Sequence, residues 1–315
     1  MAPRVLITRE PPGSSVDRIS EVADVFLWDH DRPIDTDVLA REAASSVGIY
    51  CMLTDAIDRN LLMASPKLEV VSTMAVGVDN IDLDACRELG IVVGHTPGVL
   101  TESTADMAWA LLMAASRRLE ESINYVQQGR WEGWELDGII SRDVSGTTIG
   151  IVGMGRIGQA IARRAEGFDM EVLFTNRSRV SGAVGTQVDL EELLGRSDHV
   201  VIAVSLNEQT RGMISTQQFA MMKTTANLVN IARGPIVDTD ALVAALVEGQ
   251  IRCAGLDVTD PEPIPVDHPL VALPNCLIVP HLGSATDRTR VAMADLATDN
   301  LLAALSGADM PARTA

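Results

Sequence analysis

With 315 residues, 47% of them apolar and 22% charged, the chain is long enough for two domains with cores of their own, and no apolar run nears the roughly 20 residues of a membrane span. A formal net charge of −18 repels phosphate backbones and anionic lipid surfaces, so neither nucleic acid nor membrane is an expected partner, and an anionic substrate would need capture by local cations. Only two lysines occur, Lys67 and Lys223, both of loop or strand-edge type, so Schiff-base chemistry is not expected and arginine carries nearly all the positive charge.

Met1-Ala2-Pro3-Arg4 leads directly into a strand-like run, leaving no room for the apolar core of a signal peptide, and the cytoplasm is the expected location. From residue 4 to about 98, short β-branched runs alternate with amphipathic stretches, the pattern of parallel strands joined by helices. Strands are expected at 5–8, 25–28, 47–52, 68–72 and 91–93, in a flavodoxin-like domain. Residues 101–128 read as one long helix, rich in Ala, Leu and Met, bridging two domains.

A second α/β run starts at Thr147, with strands expected at 147–152, 171–175, 199–204, 226–231, 253–258 and 277–279, the six of a dinucleotide-binding (Rossmann) fold. A last amphipathic helix, 287–305, is left over, and its simplest home is the first domain. The expected architecture is therefore α/β, with a discontinuous substrate-binding domain (1–98 and 288–315) around a dinucleotide-binding domain (99–287). The four cysteines, Cys51, Cys86, Cys253 and Cys276, are widely spaced among apolar residues, with no C-x-x-C pair and no nearby His; they read as buried, reduced thiols, and no metal is expected.

Gly153-Met154-Gly155-Arg156-Ile157-Gly158 follows one predicted strand and opens a helix. Its glycines allow a tight turn, backbone approach to a pyrophosphate and close helix packing. At the end of the next strand, NAD sites carry an acid that hydrogen-bonds the ribose 2′-hydroxyl and would repel a 2′-phosphate. Asn176 stands there instead, followed by Arg177-Ser178-Arg179, whose guanidinium forks and hydroxyl suit a dianionic phosphate, so NADP(H) is the expected cofactor, with NAD(H) weaker.

Three further segments stand at predicted strand ends: Asn230-Ile231-Ala232-Arg233-Gly234, Asp257-Val258-Thr259-Asp260-Pro261-Glu262-Pro263 and Pro280-His281-Leu282-Gly283-Ser284-Ala285. Taken singly, Arg233 could be a surface ion pair, Glu262 a loop carboxylate and His281 a core imidazole. Together with the glycine motif they closely resemble the D-isomer-specific 2-hydroxyacid dehydrogenase family, over essentially the whole chain. The stretches Ser72-Thr73-Met74-Ala75-Val76-Gly77-Val78-Asp79, Thr96-Pro97-Gly98-Val99-Leu100-Thr101 and Gly283-Ser284-Ala285-Thr286 resemble its glyoxylate reductase/hydroxypyruvate reductase group.

The resemblance implies NADP(H)-dependent reduction of glyoxylate or hydroxypyruvate to glycolate or D-glycerate. It gives Arg233 the substrate carboxylate and keto oxygen, His281 the role of general acid, and Glu262 that of its partner. It also gives the Val76 and Gly77 backbone N–H groups to the substrate carboxylate. Thr104, Ser205, Ile231 and Asp257 become contacts of the nicotinamide half, and Gly283 a further cofactor contact. Trp131 and Trp134 fall in a segment that supports homodimers in this group. The remaining alternatives are dehydrogenation of another D-2-hydroxy acid such as 3-phosphoglycerate, and a dinucleotide-sensing corepressor like the carboxy-terminal-binding proteins, for which no partner-binding tail is visible.

Overall fold

Residues with branched β-carbons crowd a helix and suit a pleated surface, and the short Val- and Ile-rich runs become parallel strands, the central ones buried on both faces. The computed structural model describes residues 2–314, so Met1 and Ala315, the expected outer limits of the first domain, lie outside the described residues. The chain forms two units, one running to Leu100 and resuming at Ala285, the other spanning Thr101–Ser284. These boundaries fall two or three residues from the expected ones.

The first unit holds β1 (Arg4–Ile7), β2 (Asp24–Leu27), β3 (Gly48–Cys51), β4 (Val70–Thr73) and β5 (Val92–Gly94), all parallel, in the order β2-β1-β3-β4-β5. That is the flavodoxin order. The helix Asp287–Leu305 lies on this sheet, where Ser72 Oγ donates to the Ala297 carbonyl at 2.7 Å and Tyr50 Oη to that of Ala294 at 3.3 Å. The strands have small residues where the helix comes closest: a β-carbon on Gly94 would stand 2.7 Å from that of Asn300.

The second unit holds β6 (Thr148–Val152), β7 (Glu171–Thr175), β8 (Thr186–Gln187), β9 (His199–Ile202), β10 (Asn227–Asn230), β11 (Cys253–Leu256) and β12 (Cys276–Ile278), in the order β12-β11-β10-β9-β6-β7-β8. Counted within the unit, this is the doubly wound 3-2-1-4-5-6 order with a seventh strand added. The expected six strands are thus seven. Only two residues long, polar and exposed, β8 lacks the apolar run that would announce it. Side-chain alternation sends Ile149, Ile151, Phe174 and Val229 to one core and Val152, Leu173, Ile202 and Leu228 to another.

The single helix expected over 101–128 is two, Thr101–Ser116 and Leu119–Gln127. The break falls at Arg118, whose φ of 53° is incompatible with a right-handed helix. The first piece falls in the second unit, where it packs on β10, β11 and β12 and Gly255 brings a strand to the Leu111 backbone. All four cysteines are buried free thiols, and no group of three metal-ligating side chains occurs among the described residues. No described helix is long and apolar enough to cross a membrane.

Candidate active site

All strands of the second sheet are parallel, so the loops after β6, β7, β9, β10, β11 and β12 leave one edge, and every candidate in this unit except Thr104 lies in these loops or in the helix turn that follows them. After β6 the chain turns through Gly153 at φ 103°, where a β-carbon would lie 2.8 Å from the Ala203 carbonyl oxygen. A β-carbon on Gly158 would lie 2.1 Å from the Gly153 oxygen, so helix and turn pack with no side chain between them. Gly155 differs from both: nothing lies within 4 Å of its β-position. It caps the helix Arg156–Ala165, whose first-turn N–H groups receive no side-chain cap. Open space in front of uncapped N–H donors at the positive end of a helix fits a pyrophosphate.

Beyond β7, Asn176 joins this turn to the next one. Its Oδ1 accepts from the Met154 N–H at 3.3 Å, and its Nδ2 donates to the Ser178 carbonyl at 3.0 Å. A carboxylate could keep the first bond but could not make the second. Arg177 and Arg179 are exposed and, among the described residues, form no ion pair, so both forks are available to a ligand.

The loop after β10 is shaped by Asn230, whose Oδ1 accepts from the Ala232 N–H at 3.0 Å while its Nδ2 donates to the Arg233 carbonyl at 2.9 Å. Arg233 is half-buried and its Nη1 donates to the Ala232 carbonyl at 2.8 Å. Gly234 follows because a β-carbon there would sit 1.9 Å from the Thr259 oxygen. The loops after β10 and β11 therefore touch backbone to backbone.

Thr259 donates its N–H to Glu262 Oε2 at 3.4 Å, and the other oxygen, Oε1, accepts from His281 Nδ1 at 2.7 Å. Burial, the largest influence, pushes the Glu262 carboxyl up; the hydrogen bond and charge of His281, the Thr259 N–H and the Arg233 charge together outweigh it and hold the group below its ordinary value. Glu262 is thus an anion beside the imidazole, and His281 Nε2 is the nitrogen left for other chemistry.

His281 has a left-handed backbone, φ 55°, a conformation costing a non-glycine residue about 1–3 kcal/mol unless its surroundings enforce it. Asp257 supplies the enforcement. Its carbonyl accepts the His281 N–H at 2.9 Å, Oδ1 the Leu282 N–H at 2.6 Å, and Oδ2 the Gly283 N–H at 2.9 Å. Only 1% exposed, this carboxyl is raised above its ordinary value by burial, against the two N–H bonds. A β-carbon on Gly283 would stand 2.9 Å from Asp257 Oδ2 and 3.4 Å from Thr104 Cγ2, which brings Thr104, Asp257 and Gly283 together.

Ile231 is buried directly after β10, and Ser205 is exposed after β9, its carbonyl accepting from Thr210 Oγ1 at 2.8 Å. Val76 and Gly77 belong to the first unit, in the loop after β4, where His95 Nδ1 lies 3.0 Å from the Val76 oxygen. Trp131 and Trp134 are 63% and 84% exposed. Asn230, Thr259 and the turn-holding role of Asp257 escaped sequence reasoning, which had only polar residues at strand ends to go on.

The model of the D-isomer specific 2-hydroxyacid dehydrogenase NAD binding domain matches residues 109–283. The glyoxylate reductase/hydroxypyruvate reductase of Homo sapiens is 44% identical over 316 residues, covering 98% of this chain and 96% of that protein. The glyoxylate reductase of Korarchaeum cryptofilum is 46% identical over 308 residues, with 96% and 93% covered. Among solved structures, a Thermus thermophilus protein superposes with a TM-score of 0.93 at 43% identity, covering 99% of this chain and all of that one. An NADPH-dependent glyoxylate/hydroxypyruvate reductase from Sinorhizobium meliloti, in complex with NADP and malonate, gives 0.88 at 32% identity, covering 100% and 97%.

Proposed function

This chain belongs to the D-isomer specific 2-hydroxyacid dehydrogenase family, and on that premise we propose that it is an NADP(H)-preferring reductase of glyoxylate and hydroxypyruvate, forming glycolate and D-glycerate. The observation that carries the reading is the 2.7 Å hydrogen bond from His281 to Glu262, at the strand edge that also bears Arg233 and the open Gly155 turn.

NADPH, when bound, supplies a hydride from C4 of its nicotinamide. The chain's own residues do the rest. The N–H groups behind Gly155 receive the pyrophosphate, and Arg177, Ser178 and Arg179 receive the 2′-phosphate. Thr104, Ile231, Asp257, Gly283 and Ser205 line the nicotinamide end. Arg233 holds the substrate carboxylate and polarises the keto oxygen with its planar fork, which a lysine could not reproduce.

His281 then gives its Nε2 proton to the keto oxygen as negative charge develops there, so no free alkoxide forms. Glu262, already anionic, accepts the Nδ1 hydrogen bond and holds the ring in one orientation before and after transfer, leaving Nε2 to be recharged from water.

The exposed apolar residues Leu119, Ile123, Val126, Trp131, Trp134, Leu136 and Ile140 crowd one stretch, which supports a homodimer formed through it. Four free thiols suit the reducing cytoplasm. Steady-state rates for NADPH and NADH against glyoxylate, hydroxypyruvate, pyruvate and 3-phosphohydroxypyruvate test the assignment. NADPH with glyoxylate or hydroxypyruvate should give the highest kcat/KM, and faster turnover of either other acid would overturn it.

A further inference from the structure

The turn that carries Arg177 and Arg179 is exposed and has no regular structure of its own, yet one side chain spans it. Gln187 sits on β8, the last strand of the sheet, opposite Phe174 of β7. Its backbone is fixed from both sides: the Val188 N–H donates to the Phe174 carbonyl at 2.9 Å, and Gly185, at φ 96°, passes so close to β7 that a β-carbon would stand 2.4 Å from the Val172 oxygen. From this anchored position its carboxamide makes three hydrogen bonds to the turn. Nε2 donates to the carbonyls of Asn176 and Ser178, both at 3.2 Å, and Oε1 accepts from the Val180 N–H at 3.3 Å. The residues it grips, 176, 178 and 180, alternate with the two arginines.

We infer that Gln187 is the positioning residue of the 2′-phosphate site: by clamping backbone groups at 176, 178 and 180 it presets the turn from which Arg177 and Arg179 reach the phosphate. A free turn would lose conformational entropy each time the phosphate docks, whereas a clamped one has already lost it on folding. The clamp therefore acts on NADP(H) affinity and leaves NAD(H), which has a neutral 2′-hydroxyl in place of the phosphate and gives the arginine forks no anion to grip, little affected. A structural role alone would move both cofactors or neither. The inference rests on the proposed preference for NADP(H) and deepens it by naming what holds the arginines in place.

The test is calorimetric titration of the purified full-length protein with NADP+ and with NAD+, in the absence of substrate, for the wild type, Gln187→Met and Gln187→Ala. Met keeps the length of the side chain and removes every hydrogen bond; Ala guards against misfolding of the first variant, and melting curves check both. The expected result is a Kd for NADP+ raised about tenfold in each variant, with Kd for NAD+ within about twofold of wild type. An unchanged Kd for NADP+, or equal losses for the two cofactors, overturns the inference alone. A wild type that binds NADP+ no more tightly than NAD+ overturns the cofactor reading and the inference together.

Discussion

Glu262 and His281, separated by 19 positions in the chain, meet through a 2.7 Å hydrogen bond from the imidazole Nδ1 to the carboxylate Oε1. The bond leaves one ring nitrogen directed elsewhere and places a full negative charge beside the ring, so charge and geometry can be separated by substitution.

Glu262→Gln keeps an acceptor near Nδ1 and removes the charge. With the charge gone, the hydrogen bond that orients the ring is no longer charge-assisted, so kcat for keto-acid reduction should fall about tenfold, with KM for NADPH little changed. The wild-type carboxyl titrates below its ordinary value. Its stabilising contribution is therefore fully present above the unfolded carboxylate pKa of about 4.3, and is lost as pH falls through the lower folded value. Melting temperatures compared across that window should fall less steeply for the variant than for the wild type. An unchanged kcat would detach Glu262 from the proton transfer.

Asp257→Asn swaps one carboxylate oxygen for an NH2 group that must face a backbone N–H of Leu282 or Gly283. Two donors then oppose each other in a site 1% exposed, and one buried N–H loses its partner. We expect a loss of about 1–3 kcal/mol in urea unfolding and a fall in kcat larger than any rise in KM for NADPH, because the turn presenting His281 loosens. A variant with wild-type stability and turnover would show that the left-handed turn at His281 does not depend on this carboxylate.

Arg177→Ala removes one charge-assisted contact to a 2′-phosphate, worth about 1.5–3 kcal/mol, so KM for NADPH should rise about tenfold to a hundredfold while KM for NADH stays near wild type. Equal changes for both cofactors would mean that the arginine serves the fold and not the phosphate.

Gly155 and Gly158 separate ligand space from packing space. Gly155→Ala places a methyl where the protein has no atom within 4 Å, so its melting temperature should hold while NADP+ affinity drops. Gly158→Ala drives a β-carbon to 2.1 Å from a backbone oxygen, so it should lose about 1–3 kcal/mol of stability as well as affinity. Stable folding of both with intact NADP+ affinity would argue that the pyrophosphate binds elsewhere.

The sequence by itself determined what depends on neighbours in the chain. Strand periods marked the two sheets because β-branched alternation is a local property, and glycines 153, 155 and 158 announced the turn because only a missing side chain permits it. The absent acid at Asn176, with Arg177 and Arg179 beside it, was readable for the same reason, since charge types need no fold to be counted.

Tertiary structure decided what depends on distance through space. Nothing between residues 262 and 281 states that their side chains touch, or that Asp257 spends its oxygens on the turn beyond β12. The break at Arg118 escaped detection because one left-handed residue ends a helix without changing its composition. Gln187 was invisible because a two-residue edge strand has no period, and its three bonds reach back to backbone atoms that carry no sequence signal.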